Sequence, residues 1–147
     1  MENKYLLDTN IISYAIKTKQ PERRKVLDNL KHIDPKNIFI SIISYYEMQA
    51  GINRINTKNE EYTKYKHKIQ TAVNTFSTTA TILDYDSLRV AKIAGEITGT
   101  LIKNGHDIRA CDAMIASHAI QNKLILVTND SGFSRIQKLC PDFDLKL

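Results

Sequence analysis

Tryptophan is absent from this chain of 147 residues, and cysteine, proline and glycine are sparse, at two, three and five residues. Cys111 and Cys140 form no C-x-x-C pair, and two cysteines make no disulfide framework. A reducing compartment is the simplest expectation. The few glycines form neither a G-x-x-x-x-G-K-[ST] loop nor a G-x-G-x-x-G fingerprint, so nucleotide-hydrolysing and dinucleotide-binding roles have no support. The four histidines, His32, His67, His106 and His118, lack zinc-type spacing. No repeat and no low-complexity linker divides the chain. Long hydrophobic runs are also missing. The first one, Tyr5 to Leu7, is far too short for a signal-peptide core or a membrane span. A cytoplasmic location is therefore expected, with no membrane partner.

What is present is the material of one ordinary domain over residues 1–147. Hydrophobic residues make up 42% and charged residues 25%, enough for a substantial core. The formal charge is +5 and the pI about 9.2, compatible with a polyanionic partner but not diagnostic of one. Basic residues cluster in two segments. Residues 17–36 carry seven (Lys17, Lys19, Arg23, Arg24, Lys25, Lys31, Lys36) against three acids, and residues 54–68 carry five (Arg54, Lys58, Lys64, Lys66, Lys68) against two. Tyr45, Tyr46, Tyr62 and Tyr65 offer stacking faces nearby. An ordinary solvated helix surface explains these segments equally well.

Strand-like and helix-like segments alternate along the whole sequence. Tyr5–Leu7, Asn37–Ile42, Thr81–Leu83 and Leu124–Thr128 are short apolar runs that predict strands, and Phe143–Leu147 is a candidate last strand. Between them, helical spacing follows from Ile11, from Pro21 to about Leu30, and from about Ser44 to Ile52. It recurs over Glu60–Phe76, Leu88–Lys103 and Asp112–Gln121. Continuous apolar strands alternating with helices predict an α/β fold: a parallel sheet of about five strands between two helical layers, a three-layer α/β/α sandwich. Ligands of open α/β sheets bind beyond the carboxyl ends of the strands.

Those ends are acidic. Asp8 follows the first strand and Asp130 the strongest one. Glu47 lies in the expected first turn of the helix after the second strand, and Asp112 opens the helix leading into Leu124–Thr128. Each acid has an ordinary structural role available. Asp8 and Asp112 suit N-caps. Ser44-x-x-Glu47 fits a capping box, and Asp130-Ser131-Gly132 fits a turn. Taken together they predict a cluster of carboxylates that repel one another unless a cation joins them. Oxygen-only ligands suit Mg²⁺ or Mn²⁺, and such a site hydrolyses phosphodiesters well.

The same residues carry a family resemblance over essentially the whole chain. Leu6-Leu7-Asp8-Thr9-Asn10 resembles the opening of VapC-type PIN domains. Ser41 to Gly51, with Glu47 four residues before the glycine, resembles their second motif. Asp112-Ala-Met-Ile-Ala116 resembles their third, and Thr128-Asn129-Asp130-Ser-Gly-Phe133 their fourth. The resemblance implies a PIN-type α/β/α fold, a Mg²⁺ or Mn²⁺ site and RNA cleavage. It also implies a homodimer and a cognate antitoxin that covers the site. Carried over by position, Asp8, Glu47, Asp112 and Asp130 are the acidic set that holds metal and performs catalysis, with Asn10 and Thr128 as supporting polar groups. Many relatives have a further acid where this chain has Gly132, which bears on a second metal, and many have Thr in place of Ser44. The expected function is a metal-dependent endoribonuclease acting as the toxin of a toxin–antitoxin pair. An inactive PIN-like RNA-binding or scaffold module is the alternative. A receiver-like or phosphatase-like domain fits less well, because a D-x-D phosphatase needs Asp where Asn10 stands.

Overall fold

The computed structural model describes residues 2–17, 21–85 and 87–147. Strand β1 (Tyr5–Leu7) leads into helix α1 (Thr9–Ile16), and α2 (Glu22–Leu30) follows. Strand β2 (Ile38–Ser41) runs directly into α3 (Ile42–Asn53), then α4 (Glu60–Thr79). Strand β3 (Thr81–Leu83), α5 (Leu88–Lys103), α6 (Ala110–Gln121), β4 (Ile125–Val127) and α7 (Gly132–Leu139) complete the order.

The sheet is parallel throughout, with strand order β3-β2-β1-β4. Successive side chains of a strand point to opposite faces, so Leu6 and Leu7, both fully buried, belong to different cores. Leu6 and its neighbour Leu126 join Ile97, Leu101, Ile115 and Phe133 under α5, α6 and α7. Leu7 and its neighbour Ile40 join Ile12, Met48, Ile52 and Val73 under α1, α3 and α4. Two buried faces explain why the strands read as unbroken apolar runs. The stripe Val90, Ile93, Ala94, Ile97, Leu101 is the buried face of α5, as its spacing predicts.

Four strands form among the described residues, not five. The expected last strand shrinks to a single parallel bridge between Lys146 and Ile125, with Leu126 N–H donating to the Lys146 carbonyl at 2.8 Å. A 3₁₀ turn at Pro141–Phe143 and left-handed backbone at Asp144 (φ 49°) keep the preceding residues from extending. Helix α3 begins two residues earlier than expected, because Ser41 rather than Ser44 caps it: the Ser41 hydroxyl accepts from Ile43 N–H at 3.0 Å. Lys19 of the first basic segment lies outside the described residues.

Candidate active site

Strand β1 sits between β2 and β4, so the chain departs from it in both directions, and the crevice at its carboxyl end is where an open α/β sheet binds ligands. Asp8 occupies that end. Its N–H donates to the Val127 carbonyl at 3.0 Å, continuing the ladder with β4. Its carboxylate caps α1, with Oδ1 accepting from Thr9 N–H at 2.7 Å and Oδ2 from the Thr128 hydroxyl at 2.9 Å. The residue is only 3% exposed. Burial pushes its pKa up to about 6, against the two hydrogen bonds, and the charges of Asp112 and Glu47 push the same way. Charges from α3 and α6 therefore reach Asp8 at the end of β1.

Glu47 lies in the second turn of α3, not the first, and makes no capping box with Ser44. Instead its Oε1 accepts from the Thr9 hydroxyl at 2.6 Å, which binds α1 to α3, and that hydroxyl lies 3.0 Å from Ser44 Oγ. The N-cap of α6 is Arg109, so Asp112 falls in the first helical turn rather than capping it. Negative charge is favoured there by the helix dipole.

Arg109 is the residue that sequence reasoning missed. Its guanidinium grips Asp112 bidentately, Nε to Oδ2 at 3.0 Å and Nη2 to Oδ1 at 2.9 Å, and Nη2 lies 3.5 Å from Glu47 Oε2. The available signal was the Arg109-x-x-Asp112 spacing, which puts the two side chains together at the helix start. Asp130 is held differently. Its Oδ1 accepts from Gly132 N–H at 2.7 Å, and its N–H donates to the Thr128 hydroxyl at 3.0 Å. Thr128 thus joins Asp8 to the turn before α7, and Asp130 shares a cavity of about 350 Å³ with Asp112 and Arg109. Asn10 is exposed on the first turn of α1, on the Glu47 side. Burial and the charge of Glu47 raise the Cys111 thiol, so it is no ready nucleophile.

The donor set suits a hard divalent cation, since every candidate ligand offers oxygen. Among the described residues no three acid, imidazole or thiol groups form a preformed cage. The positive charge between Asp112 and Glu47 belongs to Arg109. The residues fit a cation that takes over the carboxylates Arg109 now holds.

Of the two basic segments, α2 carries Arg23, Arg24 and Lys25 and α4 carries Lys64, Lys66 and Lys68; the other described members lie at helix ends and in loops. Arg23 is tied to the Ala15 carbonyl at 3.3 Å and Lys64 pairs with Glu60 at 3.2 Å. Tyr46, Tyr62 and Tyr65 are exposed, whereas Tyr45 is half-buried and its hydroxyl accepts from Gln49.

The PIN domain family matches residues 5–139. The chain is similar to Ribonuclease VapC2 of Rickettsia felis, 35% identical over 92% of this chain and 93% of the relative. It is also similar to the tRNA(fMet)-specific endonuclease VapC of Shigella flexneri, 28% identical over 90% of this chain and 92% of the relative. Among solved structures, VapBC2 from Rickettsia felis bound to a DNA fragment from its promoter superposes with a TM-score of 0.70. There the identity is 32%, over 92% of this chain and 94% of that one. DNA-bound VapBC from Salmonella typhimurium also superposes at 0.70, at 28% identity over 92% and 93%. With fold, strand-end acids and near-full-length similarity in agreement, the chain belongs to the PIN-domain family and, within it, to the VapC ribonucleases.

Proposed function

We propose that residues 1–147 form a single nuclease domain that cleaves RNA phosphodiester bonds endonucleolytically with Mg²⁺ or Mn²⁺, as the toxin of a toxin–antitoxin pair. The observation that carries this reading is the convergence of three carboxylates at the carboxyl edge of the sheet: Arg109 bridges Asp112 and Glu47, and the charges of both reach the buried Asp8. When bound, the cation supplies an activated water and neutralises charge developing on the phosphoryl group. Asp8 and Asp112 are the main ligands. Glu47 and Asp130 would complete the set, directly or through water, and one of them would position the attacking water. Thr128 orients Asp8 through its hydroxyl, and Asn10 offers a polar contact on the Glu47 side. Arg109 holds Asp112 in the metal-free chain, and with a cation on that carboxylate it would stay beside the site, where a guanidinium suits a phosphate oxygen. The VapBC complexes among the solved relatives support a cognate antitoxin as partner, and the family resemblance implies that it covers this edge. A homodimer and a cytoplasmic location complete the proposal. Among the described residues no helix is long and apolar enough to cross a membrane.

The test uses charge removal at constant shape. Asn caps a helix about as well as Asp, so Asp8→Asn, like Glu47→Gln, removes a negative charge and little else, whereas Asp112→Asn also loosens the two-point hold of Arg109. Cleavage of single-stranded RNA with Mn²⁺ drops by orders of magnitude in each variant while circular dichroism shows an intact fold. Full activity in Asp8→Asn, in preparations free of host ribonuclease, overturns the mechanism.

A further inference from the structure

Next to the acids lies a cleft that the reaction described so far does not use. It has a volume of about 240 Å³ between α1, α3 and α4, and it shares Thr9, Asn10 and Glu47 with the acidic edge. Its depth is aliphatic, with Met48 and Ile52 of α3 facing Ile69 and Val73 of α4. Its rim is polar and aromatic: Ser13 of α1, Lys17 at the end of that helix, and Tyr65 of α4, which is 42% exposed.

Gly51 forms part of the lining and has no internal reason to be glycine. It stands four residues beyond Glu47 on α3, hence on the same face one turn away. A glycine inside a helix weakens that helix relative to alanine. The backbone does not require it, because Gly105 is the only glycine with positive φ among the described residues. Packing does not require it either, since a Cβ at this position meets no atom within 4 Å. The space that Gly51 leaves open beside Glu47 is available to something outside the protein.

We propose that the cleft is a nucleobase subsite. It receives the unstacked base of the nucleotide next to the scissile phosphate. This rests on the ribonuclease reading above. A nucleotide whose phosphate lies at Asp8 and Asp112 has its base within reach of a cavity that begins at Glu47. Sequence-specific RNA recognition uses such splayed bases, stacked on aromatic side chains and hydrogen-bonded along their edges. Tyr65 supplies the stacking face, Met48 and Ile52 the apolar floor. The Asn10 amide, both donor and acceptor, reads the base edge together with Ser13. Lys17 on the rim attracts the anionic backbone, which favours a nucleic acid over an apolar peptide as the occupant.

The test fills the cleft without weakening the helix. Gly51→Leu adds a good helix former whose side chain enters the open space. Wild type and variant are first given a pool of single-stranded oligoribonucleotides randomised over the cleaved region, with Mn²⁺, and the products are sequenced. The best-cleaved oligonucleotide is then made again with an abasic nucleotide on each side of the scissile bond in turn. In wild type, loss of one base lowers kcat/KM by about tenfold or more, as stacking contributions predict, mostly through KM. In Gly51→Leu the sequence preference flattens, and the abasic and parent oligonucleotides are cleaved alike. Tyr65→Ala, on a different helix, does the same in part and serves if Gly51→Leu fails to fold. Unchanged preference in both variants overturns the subsite. So does normal cleavage by Gly51→Leu together with lost binding of a protein antitoxin, which assigns the cleft to a polypeptide instead. Wild type that cleaves no member of the pool fails the nuclease reading itself, a result distinct from either.

Discussion

Asp8 keeps a proton up to about pH 6 in the folded chain, well above the ordinary carboxylate value of 3.8. The sign of the linkage follows directly. Below both values the folded and unfolded chains are equally protonated at this residue. As pH rises through that interval, the unfolded chain releases the proton and the folded chain holds it, so stability falls, and above about pH 6 the loss is complete. Metal-free Asp8→Asn, which resembles the protonated residue at every pH, should therefore melt higher than the parent at pH 7.5. The difference should vanish near pH 4 in matched thermal scans. A parent that melts higher than the variant at pH 7.5 without metal contradicts the burial cost assigned here. At this scale much of the site was legible in the sequence. Asp8 and Asp130 stand out because a charged residue follows the end of an apolar strand, whereas Thr128 closed the expected strand and joined the site only through the family resemblance. Arg109 did not stand out, because its importance arises from a partner three residues away and another on α3. The Ser44–Glu47 spacing misled for a related reason. Two serines three residues apart both suit a cap, and only tertiary packing chose Ser41.

That choice links three elements. Ser41 ends β2, caps α3 and meets His118 of α6, with its Oγ 2.8 Å from His118 Nδ1. His118 Nε2 lies 3.1 Å from the Asp84 carbonyl, which can only accept, so Nε2 carries the hydrogen and Nδ1 accepts from Ser41. Both residues are buried, and the ring also meets Tyr85 edge-on, 5.3 Å between centroids. Ser41→Ala removes a helix cap and one partner of a buried imidazole together. The expected cost is about 2 kcal/mol in denaturant unfolding, from cap loss and an under-satisfied buried group. A cost below about 0.5 kcal/mol, the range of an ordinary surface change, shows that the junction is not structural. Other elements were legible in proportion to their length. The 16 residues of α5 are matched at both ends because four turns of apolar spacing leave little ambiguity. The short α7 escaped prediction, although Phe133 and Ile136 are its buried face, because eight residues after a turn signal read as loop. Strand β4 spans only Ile125–Val127, shorter than its apolar run, since Leu124 is buried before the ladder begins.

Over the molecule as a whole, the charge of +5 conceals a separation of sign. Acids gather at the carboxyl edge of the sheet, whereas Arg23, Arg24 and Lys25 lie on α2 and Lys64, Lys66 and Lys68 on α4. The fold class was readable from the alternation of elements. The contents of the edge were readable only as a set of carboxylates, because no local rule brings Asp8, Glu47 and Asp112 together. A Mn²⁺ titration tests that juxtaposition. A ligand that binds only the native state stabilises it by about 2.7 kcal/mol at 100 times its dissociation constant. The melting temperature should therefore rise with Mn²⁺ to saturation. In Arg109→Gln the metal-free protein should melt lower than the parent at low salt, and saturation should come at lower Mn²⁺ concentration. A flat titration of the wild type into the millimolar range would falsify a cation site built from these acids.

Arg109 gives the cluster an internal counterion, and this has a consequence for the life of the protein between catalytic events. Two of the three carboxylates are already matched by a charge that cannot diffuse away, with Nη2 2.9 Å from Asp112 and 3.5 Å from Glu47. The metal-poor molecule is thus a resting form in its own right, neither swollen by repulsion nor dependent on a borrowed ion to stay folded. Under the proposed metal-dependent reaction, scarcity of divalent cations would silence the nuclease without discarding it, and the same molecules would resume work when the supply returned.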